Sequence, residues 1–444
     1  MSTSPKLRIA VVGGGIGGLA FAVAISKLNL EEFITVDIYD ASTKLSQVGA
    51  GIAFFPRGWE IMKHMGLEED LEAKLPPGQE KPTLDKERLY YQTRKSNQPV
   101  GTHISDLKLP GGSVTLHRAD VQTILLKHLP TSIRCHLSHR LKGYVETNEG
   151  IRLNFENGRT VLCDLMIGAD GLHSATRKTL LSEGKNWTEQ EAIQQSRPLW
   201  TGVHVYRYVA DAALIRQVCP ENRALSKVML YCGKNKHIVA FPMRQGELVN
   251  IVLCISNPGQ EGTYVDGPTV TEATQDDIAD LFEGWEEDVQ VLVKNTLKPS
   301  RWAIQYVKPL HRYVSQSGRV ILLGDAAHAT GPFFANGGGL AIEDAFFLAN
   351  IIGKAIKAQE STIDVPKIAR IYNEVRQPFC NSKAAGSLEL VRHYQFLEPG
   401  FEEYGDGVDL PAEKISELAK LLAESLAWTV DSVKLDLERA LALW

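Results

Sequence analysis

The sequence predicts an α/β fold in which an opening βαβ unit is followed by an inserted, mainly antiparallel sheet and a helical C-terminal region. Three observations carry this expectation. An apolar run at residues 9–12 breaks into Gly13-x-Gly15-x-x-Gly18 and passes at once into a helix-compatible segment at 19–28. Residues 199–256 alternate short apolar runs with turn residues, a different texture from the opening. From residue 340 to Trp444 the chain reads as mostly helical.

The elements follow in order. Gly13 permits a tight turn, Gly15 lets the backbone approach a pyrophosphate, and Gly18 lets helix and strand pack closely. The pyrophosphate would sit at the helix N-terminus, at Ile16, where free N–H groups and the dipole favour negative charge. A second strand, Ile34–Tyr39, ends at Asp40, an acid placed to accept the ribose hydroxyls of an adenine dinucleotide. Gly49-Ala-Gly-Ile52 and a helix around 58–65 come next. Residues 75–112 are rich in Pro, Gly and Lys and read as short hairpins, and His117-Arg-Ala-Asp-Val-Gln enters a helix. Asn157-Gly158 marks a hairpin within 151–161. A strand at 163–168 then runs into Ala169-Asp170-Gly171.

In the middle region strands are expected at 201–208, 227–232, 237–241 and 248–255, with Pro242 ending the third. Residues 270–298 look helical. A buried strand at 319–324 leads to Asp325, a Gly-rich loop and a long helix at 340–358. That strand should rejoin the opening sheet, because it too ends in a Gly-rich loop before a helix. The nucleotide domain is therefore expected to be discontinuous, from residues 1–75, 113–190 and 299–360. Residues 76–112 and 191–298 would form the substrate domain, and 361–444 the helical C-terminal region.

Composition narrows the function classes. With 444 residues, 44% hydrophobic and 23% charged, the chain is ordinary for a soluble protein of two or three subdomains. Its net charge of −5 and the lack of a Lys/Arg block give no reason to expect nucleic acid or a membrane surface as partner. No segment is long and apolar enough for a span, so a cytoplasmic location is expected. The six cysteines are scattered without Cys-x-x-Cys pairs, which points to neither a disulfide framework nor a metal site.

Three stations line up along the chain: the Gly13-Gly15-Gly18 turn, Asp164-Leu-Met-Ile-Gly-Ala-Asp-Gly-Leu-His-Ser-Ala-Thr-Arg177, and the run from Gly324-Asp-Ala-Ala-His-Ala-Thr330 through Gly337-Gly338-Gly339 to Asp344. With Gly49-Ala-Gly-Ile52 and His117-Arg118-Ala119-Asp120, this pattern resembles the single-component FAD-dependent aromatic hydroxylases, and within them the salicylate hydroxylase-like enzymes. The resemblance implies a Rossmann-like FAD-binding domain. It implies that Asp325 accepts the ribityl hydroxyls beside Gly324, and that the N–H groups of Gly337, Gly338 and Gly339 face flavin N1 and its carbonyl. Asp170-Gly171 would be the second phosphate-side motif, and Arg118 and Gly51 would lie near the cofactor. His328 either sits near the flavin edge or is a satisfied structural histidine. Arg177 either pairs with an acid of the fold or faces nicotinamide phosphate. Only one Gly-x-Gly-x-x-Gly unit followed by a helix is present, so NADH or NADPH would come and go as a transient co-substrate.

The substrate side would draw on Arg207, Tyr231, Phe241 and Arg244 from the middle sheet, and on Phe333 and Phe334 after Pro332. Aromatic walls suit a planar ring and an arginine suits a carboxylate. Salicylate hydroxylases tend to carry histidine just after this proline, where Phe333 stands. The resemblance thus implies an FAD-dependent NAD(P)H:O₂ monooxygenase acting on a phenolic aromatic acid through a flavin C4a-hydroperoxide, with loss of CO₂ if the attacked carbon bears the carboxylate. The protein is expected as a monomer or homodimer. A hydroxylase of a neutral phenol or a kynurenine-like substrate is the alternative within the group, and a non-catalytic flavin- or NAD-binding module the alternative outside it. The lack of a Trp-x-Trp-x-Ile-Pro segment argues against a flavin halogenase, and the lack of a cysteine pair against a disulfide oxidoreductase.

Overall fold

The computed structural model describes residues 6–45, 51–75, 79–358 and 363–444, so Gly49 and Ala50 lie outside the described residues. Strand Leu7–Val12 is apolar and buried on both faces from Ile9 onward because it is central in a parallel sheet. The five strands run in the order Val320–Leu322, Leu165–Gly168, Leu7–Val12, Ile34–Tyr39, Arg134–His136. Ile9 pairs with Leu165 on one side and Val36 on the other. One face is covered by helix Ile16–Ser26, whose Leu19, Phe21 and Val23 are buried, together with the long helix Gly337–Lys357. The other face receives Leu141, Ile151, Leu153 and Phe155 from a three-stranded antiparallel sheet, packed on Ala10, Val12 and Met166. Gly158, at φ +80°, makes the hairpin turn that Asn157-Gly158 predicts.

The second large sheet has eight strands, in the order Val270–Glu272, Ser300–Tyr306, Leu199–Asp211, Leu248–Ser256, Lys236–Met243, Met229–Gly233, Glu87–Lys95, Thr102–Pro110. It is antiparallel except where Met229–Gly233 meets Glu87–Lys95 in parallel. Its back face is a core built on Tyr206, Tyr208, Ile238, Ile251 and Leu253 under helix Glu287–Lys294. Its front face looks toward the parallel sheet.

Three expectations are corrected here. The strand Ser300–Tyr306 falls after residue 299, yet it pairs with Leu199–Asp211 and so belongs to the substrate-side sheet. The segment 270–298 opens as a strand, Val270–Glu272, before its helices, because Val270, Thr271 and Glu272 find partners in Trp302, Arg301 and Ser300. Pro242 does not end its strand. Beyond Ala240 the neighbouring strand Met229–Gly233 has stopped, so proline's missing N–H faces an unpaired edge while Pro242 still pairs with Val249.

The C-terminal region is helical as expected, with helices Val365–Tyr394, Ala412–Leu426 and Val433–Ala442. Leu418, Leu422 and Leu426 pack on Leu107 and Leu109 of the Thr102–Pro110 strand. No helix among the described residues is long and apolar enough to cross a membrane.

Candidate active site

The two sheets enclose a cleft of about 2010 Å³. Its parallel-sheet side begins at the glycine turn. Gly13 has φ +110°, and a Cβ there would lie 2.2 Å from the Ala169 carbonyl oxygen. A Cβ on Gly18 would lie 2.0 Å from the Gly13 carbonyl, so this glycine is turned into the strand–helix contact and not the cleft. Gly15 caps helix Ile16–Ser26 without any side-chain hydrogen bond, and no acid occupies the first turn. The N–H groups there remain available to an anion in the cleft. Asp40 lines the cleft, where its carboxylate accepts the N–H of Gly14 at 2.6 Å and of Ser42 at 2.8 Å. The acid therefore closes the turn while facing the ligand side.

The second station is a cap. Asp170 accepts the Thr176 N–H at 2.9 Å and the Ser174 hydroxyl at 2.5 Å, which anchors helix Ala175–Leu181. Gly171 lines the cleft at φ +76° with nothing within 4 Å of a Cβ. Arg177 is buried and donates to the carbonyls of Ala326, Leu172 and Ser196, so among the described residues it neither pairs with an acid nor lines the cleft, and braces the fold through backbone oxygens.

At the third station Asp325 is exposed to the cleft and has no hydrogen-bond partner for its carboxylate among the described residues. Gly324 precedes it at φ +60°. Helix Gly337–Lys357 starts without a side-chain cap and without an acid in its first turn, and Gly337 has nothing within 4 Å of a Cβ. A Cβ on Gly338 would meet Ile52, and one on Gly339 the Asn336 side chain, so Gly339 is directed away from the cleft. Gly51 and Arg118 also line the cleft, and the Nε of Arg118 is buried without a partner. Two uncapped helix N-termini, a partnerless carboxylate, an orphaned guanidinium nitrogen and open space over Gly337 fit an adenine dinucleotide with a flavin head.

His328 is not in the cleft. It is fully buried behind the Gly324 loop, with Nε2 2.6 Å from Asp344. Asp344 also accepts the Gly324 N–H at 2.9 Å and Arg376 Nε at 2.8 Å, and Arg376 pairs with Glu343, which pairs with Arg57. Burial alone would lower the His328 pKa and raise that of Asp344. The charges of Cys380 and Asp344 hold His328 well above its ordinary value, while His328 and Arg376 hold Asp344 well below. His328 thus ties the strand end to the C-terminal helices. His328, Asp344 and Cys380 lie close enough to share an ion, but Arg376 already supplies the cation there.

On the substrate side, strand pairing sorts the candidates. His237, Cys254 and Val205 form one cross-strand row, and Val239, Val252 and Arg207 form the next on the same face. Both rows line the cleft. Arg207 is half-buried and forms no side-chain hydrogen bond or ion pair among the described residues, and desolvation pushes its pKa down. Arg244 stands exposed at the cleft rim, in the turn after Met243. Phe241, Pro332 and the half-buried Phe333 line the cleft as well.

Two candidates are misplaced. Tyr231 faces the other side of its strand and hydrogen-bonds Asp288 at 3.2 Å in the rear core. Phe334 turns away from Phe333 in a single 3₁₀ turn and packs on Trp428. The sequence reading missed His237, although a period of two from Phe241 through Val239 leads to it.

If Asp325 holds the cofactor's sugar chain, Asp325→Ala should weaken FAD binding by roughly 10- to 100-fold. Fluorescence titration of apoprotein would check this, and an unchanged affinity would reduce Asp325 to a turn residue.

A family model described as an FAD binding domain matches residues 6–380. The chain is similar to a salicylate hydroxylase of Pseudomonas putida, 31% identical over 406 residues, which covers 89% of this chain and 87% of that one. It is also similar to a 6-methylsalicylate 1-monooxygenase of Aspergillus terreus, 30% identical over 414 residues, at 92% and 86% coverage. Among solved structures, a salicylate hydroxylase substrate complex aligns with a TM-score of 0.82 at 28% identity, covering 98% of each chain.

Proposed function

The chain belongs to the FAD-binding-domain family of FAD-dependent aromatic hydroxylases, and from that premise we propose that it hydroxylates a phenolic aromatic acid, salicylate or another hydroxybenzoate, using O₂ and NADH or NADPH. The observation that carries the acid is Arg207. A half-buried guanidinium without an acid of its own, in a cleft walled by Val239, Val252 and Phe333, is short of an anion. A carboxylate on the ring supplies one, in the bidentate geometry that arginine offers and lysine does not. The hydroxybenzoate-type substrates in the names of the relatives carry that group.

Bound FAD supplies the activation of O₂ and its transfer to the ring. The residues that would hold it are the open N-termini at Gly15 and Gly337, the Asp325 carboxylate and Arg118. The chain's own task is to seat the ring against Phe333, anchor its carboxylate on Arg207 and keep water out. When the attacked carbon bears the carboxylate, CO₂ leaves.

A panel of hydroxybenzoates and neutral phenols, assayed for coupled NAD(P)H consumption with product identification, tests the reading. Arg207→Lys is expected to raise the hydroxybenzoate KM by roughly 10- to 100-fold with FAD content unchanged. An unchanged KM, together with a neutral phenol turning over as fast as any acid, would overturn the acid assignment.

A further inference from the structure

The sheet face that floors the cleft also carries His237, and its surroundings fix which ring nitrogen holds the proton. The side chain is 1% exposed, enclosed by Tyr394 at 5.1 Å and Phe333 at 6.4 Å between ring centroids. Gln395, which ends helix Val365–Tyr394 and is fully buried, places its side-chain nitrogen 3.0 Å from His237 Nδ1 and 3.3 Å from the Cys254 carbonyl oxygen. The second contact orients the amide. A carbonyl oxygen only accepts, so the group beside it must be the NH₂, and turning the amide over would set two carbonyl oxygens against each other. That NH₂ has no lone pair to offer, so it donates to Nδ1, and Nδ1 carries no hydrogen. The proton of the neutral ring is on Nε2. Nε2 has no partner among the described residues and, unlike His393 Nδ1, is not sealed off from its surroundings, while the ring lines the cleft.

We propose that His237 is a fixed neutral donor, whose Nε2–H hydrogen-bonds the phenolate oxygen of the substrate, and that Gln395 is the positioning residue that holds this tautomer. The identity of that oxygen rests on the hydroxybenzoate reading above. The ring is a donor and not the base that takes the phenol proton. Accepting that proton at Nε2 would place an imidazolium among Tyr394, Phe333 and Cys254. The titratable groups facing it are the Cys254 thiol, the Tyr394 hydroxyl bonded to Tyr91 at 3.1 Å, and Arg207 two residues along the same face, none of them a carboxylate. Burial agrees, pushing the His237 pKa down to about 3 and the Cys254 thiol up to about 12. The phenol proton therefore leaves to bulk solvent as the substrate enters the cleft, and the Nε2–H bond lowers the phenol's pKa in the site.

The test uses FAD-loaded protein with ¹⁵N-labelled histidine, the His237 signals being assigned by their loss in His237→Gln. The expected result is a neutral Nε2–H tautomer unchanged from pH 5 to 8. A nitro-substituted hydroxybenzoate, whose phenolate absorbs visible light, reports the phenol pKa when bound. In Gln395→Glu a carboxylate that only accepts should move the proton of the neutral ring to Nδ1 and raise the bound probe's pKa by about one pH unit or more. His237→Gln, which keeps an N–H donor, should leave the probe's pKa closer to the unmodified protein's than His237→Leu does. A merely structural role for Gln395 would change flavin content or stability without switching the tautomer. In the unmodified protein an Nδ1–H ring or an imidazolium between pH 5 and 8 overturns the proposal, and so does a probe pKa that ignores Gln395→Glu. Preference for neutral phenols would instead overturn the substrate reading, and the tautomer would stand on its NMR signals.

Discussion

Gly13→Val is expected to abolish flavin loading. Two independent costs meet at this residue. At φ +110° a β-branched side chain is in a backbone region it hardly occupies. Its Cβ would also fall 2.2 Å from the Ala169 carbonyl oxygen, backbone of the neighbouring strand's loop that cannot swing aside like a side chain tip. Relief requires prising apart the ends of strands Leu7–Val12 and Leu165–Gly168, and with them the first two stations of the cofactor site. The expected outcome is insoluble protein or colourless apoprotein, read from the flavin absorbance of the purified sample. Gly158→Ala is the control. It shares a positive φ, +80°, but has nothing within 4 Å of a Cβ, so it should cost only about 1–2 kcal/mol and leave flavin content intact. Normal yellow protein from Gly13→Val would mean the turn is not held as described.

Asp344→Asn should carry the largest stability loss of any single charge change. Arg57, Arg376 and His328 face Glu343 and Asp344 in a buried, linked network that the half-buried Asp436 closes at its edge. Removing one member of a buried ion pair strands its partners and costs about 3–5 kcal/mol, measurable by urea unfolding of the holoprotein. A change below about 1 kcal/mol would contradict the network's role. That is the size expected for Asp164→Asn, whose partner Arg8 is only half-buried. The pH dependence has two limbs. The Asp344 carboxyl is held below its unfolded value, so its contribution is present above about pH 4 and lost as pH falls toward the folded value. His328 is held above its unfolded value, so its contribution is complete below about pH 6.5 and lost as pH rises toward the folded value. Both contribute fully between those limits, and the variant's stability should vary less with pH on the acid side.

The parts of this protein that could be read from its sequence are those whose cause is local. The Gly13–Gly18 turn, the Asn157-Gly158 hairpin and the buried strand before Asp325 depend on neighbours within a few residues. Which face of a strand meets the cleft is a different kind of fact. Met229–Gly233 is buried on both sides, so no alternation of apolar and polar residues distinguishes Leu230, toward the cleft, from Tyr231, toward the rear core. Phe333 and Phe334 are adjacent in sequence and diverge because a 3₁₀ turn separates neighbouring side chains. The role of His328 depends on Arg376 and Cys380, which reach it only after helix Val365–Tyr394 has folded back. The tolerance of Pro242 within its strand depends on where the adjacent strand stops, which its own neighbours in sequence do not encode.

The order of the parallel sheet has a consequence for how the protein is made. Its edge strand Val320–Leu322 and the Arg376 that braces Asp344 are about 310 and 360 residues downstream of the glycine turn. At 5–20 residues per second, roughly 20–70 s of synthesis separate the first part of the cofactor site from its last brace. Between the synthesis of the strand Leu165–Gly168 and that of Val320, about 150 residues later, this strand has an unpaired edge, apolar along its whole length, exposed to whatever the nascent chain meets. Flavin capture is thus a late event in the life of each molecule, and ribosome-bound chains halted before Val320 should be colourless, protease-sensitive and dependent on chaperones.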